Sequence, residues 1–434
     1  MRRGQLVRWV VAPIAALALA TALGVIGYRV FAPHETLSRP SEPYPDAAPI
    51  IDERPFSELR AAPLVVDGRL RVYAEKWRVW SDGPVGGRYE ATPYWAYRRW
   101  PAQVVGVVAV AAEGGPVIVS QWSDGQLVAL DARRGEIAWR VAGPEIDRDY
   151  DGRRTGAAVV YEPESLLTAR ASDGGALVIA SGAGRLRAFD GATGAQRWDR
   201  PLETACTPAV WTGETVVAIP GCATDDITFV DATTGRPTAN WSQADGASMD
   251  GSSTGPAPAQ CALGRSGCRL LTSRGSTWLL GRSGDLTQLP GLPAGGLLVG
   301  DRVVYQTASG VTARALRGGS PQWTWNGQGQ LFAASPSNVF LLTEDRTVLA
   351  LDPATGALKL VGCAAATPGE DWRLGHVYPA DGAQYIALER LTDASPEARD
   401  QRYFYGPRPV ALVELYPPTR LPVWPGKFAA CSPL

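Results

Sequence analysis

Histidine is almost absent from this 434-residue chain: only His34 and His376 occur. A zinc centre built on several imidazoles is therefore excluded, and no Cys–His spacing replaces it. A Ser–His–Asp triad would have to use His376, and no nucleophile elbow accompanies it. None of the six cysteines is adjacent to another, and no C-x-x-C-H haem signature is present. Lysine stands only at Lys76, Lys359 and Lys427, so arginine carries nearly all the positive charge. The formal net charge is -1, which leaves no global field to recruit nucleic acid. The glycine-rich Gly251–Gly255 lacks a following lysine and a strand–helix context, so it makes no phosphate loop. No long helical pattern follows residue 30. With no cofactor signature, the composition implies neither a cofactor nor an enzyme.

One long hydrophobic run is present, at the N-terminus. Arg2, Arg3 and Arg8 precede an uncharged stretch from Trp9 to Tyr28. Twenty residues at 1.5 Å rise reach roughly 30 Å, the thickness of a bilayer core. Positive charge stays on the cytoplasmic side. Residues 1–8 thus read as a cytoplasmic stub and residues 9–30 as a transmembrane signal anchor in contact with the lipid bilayer. The remainder is placed outside the cytoplasm, as a single-pass cell-membrane protein. A cleaved signal peptide is the alternative, since Ala18-Leu19-Ala20 has small-x-small form. Residues 31–63 are rich in proline and read as a tether. Residues 64–434 form the folded domain.

Six cysteines on the external side read as disulfides. Sequence proximity pairs Cys206 with Cys222 and Cys261 with Cys268, leaving Cys363 with Cys431. Free buried thiols are the other reading.

The folded part repeats itself. Gln126–Trp139 (QLVALDARRGEIAW), Arg185–Trp198 (RLRAFDGATGAQRW) and Thr347–Leu360 (TVLALDPATGALKL) share one plan. An apolar alternation leads to an Asp, then a turn ending in Gly, then a second short strand. Asp131, Asp190, Asp231 and Asp352 can accept from turn amides, and Gly135, Gly194, Gly235 and Gly356 can close the turn at positive φ. Their spacing fits a four-stranded unit of about 40 residues. Such short strands bury their faces only by stacking on neighbours, so the pattern predicts an all-β propeller of seven or eight four-stranded blades. A strand from near residue 70 is expected to close it against the C-terminal portion. Trp139, Trp198, Trp241 and Trp325 are expected to plug the gaps between blades.

These repeats resemble those of the pyrroloquinoline-quinone-like β-propellers, most strongly at residues 124–141, 183–200 and 344–362. The resemblance implies a propeller. It covers quinoprotein dehydrogenases and also cofactor-free scaffolds. The dehydrogenases carry an adjacent Cys–Cys pair over the quinone and an acidic and amide Ca²⁺ set, and neither maps onto this chain. The scaffold members are therefore the nearer likeness.

Two features could bear function. Tyr94, Trp95, Arg98, Arg99 and Trp100 cluster aromatics with arginine, as do Tyr403 and Tyr405, and such mixtures are enriched at binding hot spots. Packing at the ring closure is the competing role. The loop Glu145–Asp151 holds four acids, which suits either a solvated connector or a Ca²⁺ ion. Asn240-Trp-Ser242 is a formal glycosylation sequon. The sequence thus points to an external binding scaffold for a protein or cell-envelope partner. A quinone-dependent dehydrogenase and a glycan-binding sensor are the alternatives.

Overall fold

The computed structural model describes residues 14–25, 27–28, 32–47, 56–152, 160–203, 208–222, 226–242, 256–273, 276–289, 296–365, 370–379, 384–392 and 404–420. Residues 14–25 are helical. Among the described residues no helix is long and apolar enough to cross a membrane. Among the described residues the rest of the regular structure is almost entirely strand, with helical positions at 27–28 and 160 and a short 3-10 turn at Pro418–Arg420.

Eight antiparallel sheets follow in chain order. Blade 1 comprises Leu64–Val66, Leu70–Glu75, Arg78–Asp82 and Trp95–Trp100, and blade 2 comprises Val104–Ala112, Gly115–Trp122, Gln126–Asp131 and Ile137–Ala142. Blades 3 to 7 begin at Leu166–Arg170, Trp211–Thr212, Ala257–Ala259, Leu297–Val299 and Gln330–Ser335, and each runs through four strands from the inner to the outer edge. Blade 8 takes Arg373–Pro379, Tyr385–Leu391 and Val410–Glu414 from the C-terminal part, and its outer strand is Phe56–Leu59. The closing strand therefore lies upstream of the expected one. Residues near 70 form the second strand of blade 1 instead.

The stretch 31–63, expected as a tether, is partly built into the disc. Phe56–Leu59 pairs with Val410–Glu414, and Phe56 and Leu59 are buried. His34–Ser38 pairs antiparallel with Trp95–Trp100 as a fifth strand on the rim of blade 1. The described prolines of this segment, Pro33, Pro40, Pro43, Pro45 and Pro63, lie outside the paired residues, where a missing N–H costs no ladder bond.

Burial follows the ring. Seven apolar clusters fill the seams; one joins blades 8, 1 and 2, and the other six join the remaining neighbours in turn. Every blade face is thus covered by the next, and no blade stands alone. At the closing seam, Arg71 and Asp82 are fully buried and paired by two bonds of 2.8 and 2.7 Å. Arg71 also donates to Gly87 O and Tyr89 O, which pins the loop after Asp82.

Cys261 and Cys268 are bridged as expected. Cys222 and Cys363 are each disulfide-bonded too, their partners lying outside the described residues. The expectations for Cys206 and Cys431 lie outside the described residues.

Candidate functional site

The repeated turn and the tryptophans form one device that spans two blades. In each turn the Asp carboxylate accepts two backbone amides. Asp190 Oδ1 takes those of Ala192 at 3.1 Å and Thr193 at 3.0 Å. Asp131, Asp231 and Asp352 make the equivalent pair. The residue after the Asp then presents its carbonyl to a tryptophan of the preceding blade. Trp95 Nε1 donates to Ala132 O at 2.8 Å, Trp139 to Gly191 O at 3.0 Å and Trp198 to Ala232 O at 2.8 Å. The turn glycine lies under the same indole: a Cβ on Gly135 would stand 2.5 Å from Trp95, and one on Gly194 2.7 Å from Trp139.

Trp325 does not join this series. Its neighbour Trp323 does, donating to Pro353 O at 2.9 Å and covering Gly356. The reason lies across the strand. Trp139, Trp198 and Trp323 sit opposite Ala129, Ala188 and Ala313, whose small side chains leave room for an indole. Trp325 faces Val311, and Trp241 faces Ile227. Trp241 packs on Trp278 instead, with ring centroids 5.3 Å apart.

Trp95 belongs to this buried series and offers no surface to a partner. Tyr94 donates its hydroxyl to Arg133 O at 2.8 Å in the same seam. Arg99 grips Asp124 through bonds of 3.0 and 2.7 Å. Burial pushes the Asp124 carboxyl up, but the Arg99 contacts overcome it and hold the group below its ordinary value. Arg98 and Trp100 remain at the rim. Tyr405 lies under Arg390, whose guanidinium carbon is 5.0 Å from its ring centroid. Arg408 stacks 4.3 Å over the Tyr89 ring. Tyr403 lies outside the described residues.

Two segments of the chain lie among the inner strands of the disc. The connector between blades 2 and 3 brings Tyr161 into the core, where its hydroxyl donates to Val72 O of blade 1 at 2.8 Å. Burial raises the Tyr161 hydroxyl well above its ordinary value. Next to it, Glu162 meets His376 of blade 8 at 2.6 Å, and Pro163 takes the place that a side chain on Gly106 of blade 2 would need. A second segment arrives from blade 5. Its disulfide loop Cys261–Cys268 bonds Thr212 of blade 4 through Arg265 O and the Cys268 amide, and Ser266 Oγ accepts the Thr168 amide of blade 3. The two segments meet where Gly264 abuts Glu162 and Arg265 bonds Glu164 at 3.0 Å. Groups that touch blades 1, 2, 3, 4, 5 and 8 together lie where the inner strands converge.

Around this plug, on the face bearing the connectors between blades, two clefts open, of about 500 and 650 Å³. Arg148, Glu164 and Ser165 line both. The acidic loop 145–151 forms their wall. Glu164 is held below the ordinary carboxylate value by its Arg148 hydrogen bond, against burial and with help from Arg265. Arg148 is 2.8 Å from Glu164. Among the described residues no cluster of three metal-ligating side chains exists. Sequence reasoning missed the plug. The seven-residue spacing of Cys261 and Cys268 marked a constrained loop, but nothing local indicates that it points at the axis.

Comparison with solved structures gives propellers. BamB from Moraxella catarrhalis is 17% identical over 83% of this chain and 100% of that one, with a TM-score of 0.43. The quinohemoprotein alcohol dehydrogenase ADHIIG from Pseudomonas putida HK5 is 15% identical over 88% and 76%, with a TM-score of 0.39. That of Comamonas testosteroni is 15% identical over 84% and 75%, with a TM-score of 0.39. No curated protein sequence matches. The family model described as the outer membrane protein assembly factor BamB matches residues 123–360, more than half of the chain, and the chain belongs to that family.

Proposed function

We propose that this protein is a membrane-anchored, extracytoplasmic propeller that serves as a binding scaffold for a protein or cell-envelope partner and catalyses no reaction. The observation that carries the proposal is the pair of segments among the inner strands. A quinone needs an axial cavity with free polar groups around it. Here Tyr161, Glu162, Pro163 and the disulfide loop stand among the inner strands, with Tyr161 bonded to Val72, Glu162 to His376 and the loop to Thr212. The residues present do not fit the cofactor. What remains is a rigid disc whose clefts lie on one face, lined by side chains of both charges, as polar docking sites are. The family description names an assembly factor, and a binding role is the part of it that this geometry favours. Anchoring is supported by the uncharged run Trp9–Tyr28 and by the exposure of Ile14, Leu17, Leu19, Leu23 and Val25.

Capture from detergent-solubilised membranes tests the reading. The full chain and the triple variant Asp147→Lys, Asp149→Lys, Asp151→Lys are compared. The partner retained by the wild type is lost by the variant while its thermal unfolding is unchanged. A saturable visible-absorbance change with added quinone and Ca²⁺, together with alcohol or sugar turnover, overturns it.

A further inference from the structure

We propose that the corner of blade 1 formed by Lys76, Trp77, Arg98 and Trp100 lies against the bilayer surface and contacts anionic headgroups. The inference rests on the anchored reading above and adds an orientation to it. Ala32 donates its amide to Tyr28 O at 2.7 Å, the i to i−4 bond of a helix. The rim strand opens at His34. Tyr28 and His34 are six residues apart in sequence, at most about 20 Å of chain, so blade 1 stays close to the end of the apolar segment. It is also held there by pairing, since His34 to Ser38 take Trp100 to Ala96 as partners. Where the helix leaves the hydrocarbon, this corner is at headgroup level.

The side chains there suit that position. Trp77 and Trp100 are half-buried and meet edge to face, 4.9 Å between centroids. Lys76 lies over Trp77 at 5.0 Å. The backbone joins them: Arg99 N donates to Trp77 O and Val104 N to Lys76 O. Register places Arg98 and Trp100 on the same face as Thr36 and His34. Nearby cations are neutralised, Arg99 by Asp124 and Arg78 by Glu75. Lys76 and Arg98 have no carboxylate partner among the described residues. Paired indoles with uncompensated cations are the composition of a membrane–water interface. Each such cation strengthens contact with an anionic leaflet roughly fivefold.

The test uses the full chain in phosphatidylcholine vesicles with and without phosphatidylglycerol. A photoreactive benzophenone side chain replaces Thr36 in one sample. In another it replaces Thr287, an exposed residue of blade 5 on the opposite side of the ring. Illumination is expected to give lipid adducts at position 36, more with phosphatidylglycerol, and none at 287. Lys76→Glu with Arg98→Glu lowers the yield at 36 several-fold. Equal adducts at both positions, or none at 36 in a chain that floats with the vesicles, overturn the proposal. A chain that fails to float, or that alkaline carbonate strips off, overturns the anchored reading beneath it.

Discussion

A tryptophan and a glycine in different blades depend on each other. Gly194 adopts φ of +72° and lies against the Trp139 indole, so an added Cβ meets both an unfavourable backbone region and ring carbons at 2.7 Å. Gly194→Ala is expected to cost about 1–3 kcal/mol, read as a lower urea midpoint. Gly114→Ala, where a Cβ meets nothing within 4 Å, is the control and changes it little. Trp198→Phe leaves the buried Ala232 carbonyl without its donor, a loss of about 1–3 kcal/mol by the same measurement. Carboxylates of the same hairpins set the response to acid. Arg185 hydrogen-bonds Asp199 and holds it below its ordinary value against burial, with Arg187 adding to the effect. For Asp190, burial pushes upward, but Arg197 and Thr193 leave the group lowered. Both bind fewer protons folded than unfolded in the window below the unfolded pKa, so stability rises with pH there. It is fully present above about pH 5 and drains away as pH falls through the folded values. Thermal unfolding from pH 7 to 3 is expected to be flat and then to decline, and Asp199→Asn shallows the decline.

Local elements were legible because their causes are local. An apolar alternation, an acceptor at Asp and a residue tolerant of positive φ suffice to specify a hairpin, and all four Asp–Gly turns form as read. The partner of each hairpin was not legible in the same way. Trp323 and Trp325 are two residues apart, so they point to the same face of Pro321–Trp325, and alternation cannot choose between them. The choice is made by what stands opposite, Ala313 or Val311, and a bulge beside Ala313 fixes that register. The closing strand was missed for a related reason. Phe56–Leu59 is four residues long and follows a proline-rich stretch, so its apolar side chains look like linker until Val410–Glu414 is set beside them. Trimming separates the two N-terminal strands by function. A chain starting at Ser41 loses the apolar segment and the rim strand, whose side chains are largely exposed, and is expected to keep its near-ultraviolet circular dichroism. A chain starting at Ala61 uncovers Val410–Glu414 and removes the buried Phe56 and Leu59. It is expected to lose the near-ultraviolet signal and to aggregate on size exclusion, because an open, apolar sheet edge pairs with other chains.

At the scale of the whole molecule, rigidity and location are linked through the cysteines. The plug is part of the ring's interior, and a disulfide closes its outer loop; Cys222 and Cys363 are oxidised too. Under the anchored reading proposed above the disc would stand in an oxidising compartment, where bridged cysteines are retained. The clefts lie on the face where His34 pairs with Trp100, so under the anchored reading a partner held at loop 145–151 would lie near the bilayer. Reactivity in intact cells tests the location directly. A membrane-impermeant phosphine reductant is added, followed by an impermeant maleimide, and the full chain is recovered and digested. With the disc outside, the half-exposed Cys222 and Cys261 carry the label only when the reductant was present. With the disc inside, the reagents reach neither of them until the cells are lysed, and the external placement fails. Labelling without reductant would mean free thiols, which contradicts the oxidised state of the folded ring.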